Sequence, residues 1–446
     1  MRVGEVTVVG GGLAGCEAAN ILTKYGFSVA LYEQKPKQYS PAHQYPGLAE
    51  LVCSNSLKAS RLESASGLLK EEMRLLGSLL LPCAEKSAVA AGGALAVDRY
   101  RFSDLVTQQI RENPHIRIIG EEVTALGDAP AIIATGPLTS DKLAAEIVQV
   151  TGAGRLSFFD AAAPIVSADS IDRSVVFAAS RYGRGEDDYL NCPMDKEEYE
   201  TFYNALVGAE GAALHAFDEG FRVYEGCMPI EVMAKRGPDT IRFGPLKPVG
   251  LRDPRTGRRP WAVVQLRREN NAGTLYNLVG FQTNLKWGEQ KRVFSMIPGL
   301  QAAEFVRYGV MHRNTFLDSP RLLNRFFQLK GRPNLWFAGQ MTGVEGYMES
   351  AASGLLCGHH LARALLGLAP LVLPSDTMLG ALSDHIVNTE SDFQPMGASM
   401  GLLPPLPERV KDKRLRYLAL AERAVASLKG SLQAAGIPEG GPGHEK

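Results

Sequence analysis

The sequence predicts an α/β protein, a Rossmann-like doubly wound parallel sheet interrupted by an inserted α+β domain. Three observations carry that prediction. Residues 3–9 form a β-branched run that leads directly into Gly10, Gly12 and Gly15. A second apolar run, Ser28 to Glu33, ends in an acid. A third runs from Asn334 to Ala338-Gly339 and is followed by a helix-forming stretch, so the C-terminal part returns to the domain that the N-terminus opens.

Val3, Val6, Val8 and Val9 suit a strand buried on both faces of a parallel sheet. Helical spacing from Cys16 to Tyr25 and the strand ending at Glu33 then close a βαβ unit. Gln34 to Gly47 is polar and holds prolines, as a loop does. Residues 57–80 set apolar side chains at helical spacing among good helix formers, which predicts a helix. Short runs at Ile116–Ile119 and Ala131–Ala134 predict further strands, the second ending in the turn Thr135-Gly136-Pro137. Residues 166–304 are richer in charged and aromatic residues and are expected to form the inserted domain. Residues 1–165 and 305–435 are expected to form one discontinuous nucleotide-binding domain, with a helix from Glu349 to Leu366. The Gly/Pro-rich residues 436–446 are expected to be a flexible tail.

Composition narrows the function classes. A chain of 446 residues that is 45% hydrophobic can bury a large core, and its formal net charge of zero argues against an all-basic nucleic-acid surface. A local basic face stays compatible with that balance. Six cysteines without a CxxC pair suit neither a disulfide framework nor a structural zinc site. No metal is expected. The N-terminus lacks the segments of a signal peptide and no long apolar stretch occurs, so a cytoplasmic protein without a membrane span is expected.

Gly10, Gly12 and Gly15 fit G-x-G-x-x-G between strand and helix, with Gly11, Leu13 and Ala14 filling the loop. The first glycine makes the tight turn, the second admits the pyrophosphate, and the third lets helix and strand pack closely. Glu33 stands where an acid holds an adenosine ribose hydroxyl. The late segment around Gly339 and Gln340 resembles the second flavin-contacting element of large flavoproteins, which favours FAD over NAD. A second G-x-G-x-x-G in a βαβ setting is missing, so a nicotinamide cofactor is expected to visit and leave.

Cys53 lies in AELVCSNSLKAS and Cys227 in YEGCMPIE. Read locally, each is either a small buried hydrophobe or a thiol whose polar loop lowers its pKa, since only the thiolate attacks. Cys16 and Cys357 fall within predicted helices and are read as packing residues; Cys83 and Cys192 have no supporting context.

Several segments resemble the folate- and FAD-dependent tRNA (uracil-5-)-methyltransferases, the TrmFO family. They are GGGLAGCEAA, PAH at residues 41–43, AELVCSNSLKA, GLLKEEMR, GGALAVDR, ATGPLTS, FDAAAPIV, EGCMPIEVMA, FGPLKPVGL, FQTNLKWGEQKRVF, LWFAGQMTGVEGYMESAASG and FQPMG, in family order from residue 10 to about 405. Wobble-uridine-modifying flavoproteins share the nucleotide fold, but the CSNS and GCMPIE segments together point to the methyltransferases. The resemblance implies methylation of uridine 54 in the tRNA T-loop. Methylenetetrahydrofolate supplies the carbon and FAD, reduced by NADPH or NADH, supplies the reducing equivalents.

That chemistry suits two thiols. C5 of uracil is a poor nucleophile until a thiolate adds at C6, and the enolate so formed needs donors or cations, then a base for the C5 proton. The resemblance implies Cys227 as nucleophile and Cys53 as the assisting residue, the reverse assignment remaining the alternative. It also places Asn284, Lys286 and Arg292 beside folate and flavin, Tyr347 against a planar ring, and His43 in the substrate pocket. For the two charges a solvated helix face is the competing reading, and for Tyr347 and His43 simple packing.

A target base must leave its stack, and phosphate contacts must fix the register. Arg252, Arg255, Arg258 and Arg259, then Lys411, Lys413, Arg414 and Arg416, are candidates for those contacts or ordinary solvated charge. The chain departs from the family after FQPM, with Gly397, Ala398, Ser399 and Met400 where asparagines and a phenylalanine are usual. The expected partner is tRNA, with ribosomal RNA as the alternative, and no obligate protein partner is expected. Competing functions are a flavin oxidoreductase of a small metabolite and a catalytically silent RNA assembly factor.

Overall fold

A computed structural model describes residues 3–152, 156–161, 163–183, 186–212, 228–309, 311–388 and 393–442. Its first sheet joins β1 (Val3–Val9), β2 (Phe27–Tyr32), β3 (Ile116–Ile119), β4 (Ala131–Ile133) and β5 (Leu335–Phe337) in the order β5-β4-β1-β2-β3. Every pairing is parallel, with Val8 opposite Leu31 on one side and Ile132 on the other. The central strands are buried on both faces, which is why they read as continuous apolar runs.

Helix α1 (Leu13–Lys24) follows β1, and helix α2 (Tyr347–Leu365) follows β5 and packs across it. Two glycines of α2 set that crossing. A Cβ at Gly354 would lie 2.0 Å from the Ala14 carbonyl oxygen, and one at Gly358 would lie 2.9 Å from the Ile21 Cβ. The late return of the chain thus packs the middle of α2 along α1.

A second, six-stranded sheet is assembled from residues 165–307. Its order is Phe177–Ala178, Tyr189–Met194, Ala262–Arg268, Leu275–Leu278, Ile165–Ser167 and Phe305–Arg307, with antiparallel pairing throughout. The helix Lys196–Val207, opened by a capping box of Asp195 and Glu198, helps cover it. Phe202, Phe281 and Phe294 are fully buried in that core. Among the described residues, no helix is long and apolar enough to cross a membrane.

Two expectations need correction. Residues 57–80 are not one helix: Ser56–Ala59 is a strand paired with Ala94–Val97, and helices follow at Ala65–Leu75 and Leu80–Lys86. Ser64 starts the first by accepting from the Gly67 N–H, and Gly77 at φ +87° ends it. The chain from Gly436 is packed as far as Gly441: Ile437 is buried, and the Gly440 N–H donates to the Leu75 carbonyl. There the glycines supply left-handed turns rather than freedom, with Gly436, Gly440 and Gly441 all at positive φ.

Candidate active site

The C-terminal ends of β1, β2, β4 and β5 surround a cleft of about 1140 Å³, part of it open to solvent. This is where an open parallel sheet binds its ligand. The loop Gly10–Ala14 forms its floor, with Glu33, Thr135, Thr139, Gly339 and Gln340 on the walls. A Cβ at Gly10 would lie 2.5 Å from the Ala134 carbonyl oxygen, and one at Gly15 would lie 1.8 Å from that of Gly10. At Gly11 it would meet Leu48 and the Glu33 carboxylate. At Gly12 it would meet nothing within 4 Å. Three of the glycines are therefore required by the protein itself, while Gly12 keeps backbone accessible.

Gly12 is also the N-cap of α1, where no side chain caps the helix and no acid stands in the first turn. Those N–H groups and the helix dipole suit a phosphate. Glu33 accepts from the Gly11 N–H (2.8 Å) and the Lys35 N–H (2.9 Å), which ties the end of β2 to the glycine loop. The residues present thus fit a dinucleotide.

The far end of the cleft is polar. Lys35, which no sequence motif singles out, is buried and donates to the Tyr45 and Gly47 carbonyls and to Glu50. A lysine just beyond a strand's acid, in a proline-bearing loop, was the available signal. His43 lines the same wall with its Nδ1 2.6 Å from the Ser40 Oγ. Burial, then the charge of Lys35, holds its pKa below the usual histidine value.

Tyr347, at the start of α2, lines the cleft and reaches Cys53. Its Oη accepts from the N–H groups of Cys53 (2.8 Å) and Ser54 (3.2 Å) and lies 3.0 Å from the Cys53 Sγ. Burial, reinforced by Cys53, pushes the phenol pKa well above its ordinary value, so the proton stays on oxygen. With its acceptor sites taken by two amides, the hydroxyl's own proton is directed to sulfur.

Two buried arginines grip the Cys53 loop on either side. Arg99 donates to the Leu51 carbonyl (3.1 Å) and pairs with Glu269 (2.8 Å). Arg267 donates to the Asn55 Oδ1 (2.8 Å) and the Ser54 Oγ (2.9 Å). Asn55 in turn donates to the Val97 and Arg268 carbonyls. The antiparallel sheet thereby holds the cysteine loop of the parallel-sheet domain.

Other predicted residues sit elsewhere. Cys227 lies outside the described residues. Asn284 is not part of the cleft lining; its N–H donates to Glu231 and its side chain to the Ala212 carbonyl. Lys286 pairs with Glu210 and Arg292 with Glu289, each at 2.6 Å on an exposed surface. Arg252, Arg255, Arg258 and Arg259 are exposed, as are Lys411, Lys413 and Arg414, with Arg416 half-buried. Arg255 pairs with Asp253. In the departing segment, the Ala398 N–H donates to Glu349, and Gly397 lies against the Glu345 carbonyl. Cys16, Cys83, Cys192 and Cys357 are buried, and burial pushes the pKa of each thiol up.

Comparison with known proteins supplies the context. Residues 5–369 match the family model described as Glucose inhibited division protein A. The Acetivibrio thermocellus protein named Methylenetetrahydrofolate--tRNA-(uracil-5-)-methyltransferase TrmFO is 57% identical over 426 residues, 95% of this chain and 98% of its own. A protein of the same name from Desulforudis audaxviator is 58% identical over 428 residues, 95% and 97% of the two chains. The crystal structure of Aquifex aeolicus GidA (form II) is similar with a TM-score of 0.68 and 16% identity, over 96% of this chain and 76% of that one. At that identity the likeness shows a shared fold.

Proposed function

The chain belongs to the Glucose inhibited division protein A family and, within it, to the methylenetetrahydrofolate--tRNA-(uracil-5-)-methyltransferases TrmFO, and from that premise we propose that it methylates C5 of a uridine in tRNA. Position 54 of the T-loop is the target, methylenetetrahydrofolate the carbon donor, and the cytoplasm the compartment. Bound in the cleft, FAD would supply the reducing equivalents, themselves drawn from NADPH or NADH.

The single observation that carries this reading is the Cys53–Tyr347 contact at the end of a dinucleotide cleft. A thiol in contact with a phenol hydroxyl, with the positive charge of Arg99 nearby, is placed for proton handling beside a bound ring. In the reaction, the Cys227 thiolate adds to C6 and makes C5 nucleophilic. C5 attacks the methylene carbon. Loss of the C5 proton to Cys53 then expels tetrahydrofolate and leaves an exocyclic methylene. A hydride, which bound reduced flavin would supply, turns it into the methyl group as the S–C6 bond breaks and frees Cys227. Tyr347 and the two amides keep the Cys53 sulfur in place for the proton transfer.

Incubating the FAD-loaded protein with tRNA containing 5-fluorouracil tests the assignment. A covalent complex that forms with the wild type and is lost in Cys227→Ala supports it. A complex lost in Cys53→Ala but kept in Cys227→Ala reverses the two roles. No complex in the presence of methylenetetrahydrofolate contradicts methyl transfer.

A further inference from the structure

Four aromatic rings run in a column from the core of the antiparallel-sheet domain to its surface. Phe294 is fully buried, and its ring centre lies 6.5 Å from that of Phe305. Phe305 stacks on Tyr308 (5.5 Å, planes 9° apart), and Tyr308 stacks on Trp287 (5.6 Å, planes 12° apart). Trp287, the outermost ring, is 62% exposed. Buried Gln290 fixes the arrangement: its side chain donates to the Leu285 and Gly309 carbonyls and accepts from the Gly309 N–H. That ties the helix Trp287–Phe294 to the segment carrying Tyr308.

Packing explains the inner rings but not the outer one. Trp287 leaves most of its large apolar surface in water. A column whose planes are already aligned and held adds a further flat ring without rearrangement. Neither Trp287 nor Tyr308 lines the cleft, and a small planar ligand takes a concave site rather than an exposed face. The added ring therefore belongs to a polymer that other contacts also hold. Charge points to a polyanion. Glu210 is paired with Lys286 and Glu289 with Arg292. Lys291, exposed one turn along the helix from Trp287, has no ion pair among the described residues. Three residues before Trp287, the Asn284 N–H donates to Glu231 of the helix Ile230–Ala234, which follows Cys227 in sequence.

Resting on the function proposed above, we propose that the outer face of Trp287 stacks an unpaired base of the tRNA, with Lys291 supplying charge to its backbone. Stacking of this kind accepts any base, because every base has a flat π-face. The contact thus contributes affinity and placement, and the choice of uridine stays with the cleft.

The FAD-loaded protein is titrated with unmodified tRNA, and binding is followed by filter retention and by tryptophan emission. The chain has three tryptophans, of which Trp336 is buried and Trp261 is 37% exposed. Trp287→Phe, which keeps a ring, identifies the emission of Trp287 by difference and is expected to retain most of the affinity. tRNA is expected to quench that emission. Trp287→Ala, matched to wild type in melting temperature and flavin content, is expected to bind tRNA about tenfold more weakly. Wild-type affinity in Trp287→Ala overturns the proposal, as does quenching by methylenetetrahydrofolate alone and not by tRNA. Wild type that binds tRNA with Trp287 quenched but transfers no methyl group contradicts the functional reading and supports the stacking face. Wild type that binds no tRNA overturns both.

Discussion

The Tyr347 hydroxyl lies 3.0 Å from the Cys53 sulfur and receives the Cys53 and Ser54 N–H groups at 2.8 and 3.2 Å. Tyr347→Phe removes the acceptor of both amides and the donor to sulfur. The expected loss of stability is about 1–3 kcal/mol. In a Cys227→Ala background, alkylation of Cys53 by iodoacetamide is expected to shift to higher pH. An unchanged pH profile would show that the phenol does not set the thiol's reactivity.

The glycine loop yields a contrast between neighbours. Gly12→Ala places its methyl in open space, so apoprotein stability is expected to change by no more than about 1 kcal/mol while bound flavin falls. Gly15→Ala drives a methyl into the Gly10 carbonyl, and a loss above about 4 kcal/mol or no soluble protein is expected. Thermal unfolding and flavin absorbance read both. Equal behaviour of the two variants would contradict the division of roles.

This part of the site is legible in sequence because its physics is local. A strand, three spaced glycines and a terminal acid all lie within residues 3–33 and constrain one another. The strand at Ser56–Ala59 is not legible, since Leu57 is buried by pairing with residues 94–97 and helical spacing describes it equally well. Tyr347 is marked by its motif, but its contact spans 294 residues and replaces stacking alone with a hydrogen bond to Cys53. Arg267 and Ser54 are 213 residues apart, so nothing near either announces the bond. Asn284 belongs to a family motif, and its own bonds run to Glu231 and the Ala212 carbonyl, contacts 53 and 72 residues away that the motif does not announce.

The Arg99–Glu269 pair crosses from one sheet domain to the other and is almost wholly buried. Removing one partner strands a buried charge, so Arg99→Leu is expected to lose about 3–5 kcal/mol. Adding Glu269→Leu is expected to restore part of that loss. Urea denaturation of the single and double variants measures the coupling, and strictly additive losses would exclude it.

Two buried histidines make the fold acid-sensitive. Burial lowers the pKa of His359 to about 4 and that of His360 to about 3. Both folded-state values lie below the ordinary value of about 6.5, so the unfolded chain binds more protons below that pH. Stability is full above about pH 6.5 and falls as pH drops toward the folded values, by about 1.4 kcal/mol per unit for each group. His360→Leu is expected to lose about 2 kcal/mol less than wild type between pH 7 and 5. Parallel stability curves would contradict the buried neutral histidine.

Methylation by this chain requires a folate-derived carbon to reach uracil C5. Unmodified tRNA is incubated with the FAD-loaded protein, NADPH and methylenetetrahydrofolate labelled in its methylene carbon, and the RNA is digested and mapped by mass spectrometry. The predicted result is one labelled 5-methyluridine at position 54, absent without the folate and absent in Cys227→Ala. Unlabelled product, label at another base, or full activity in Cys227→Ala would contradict the mechanism.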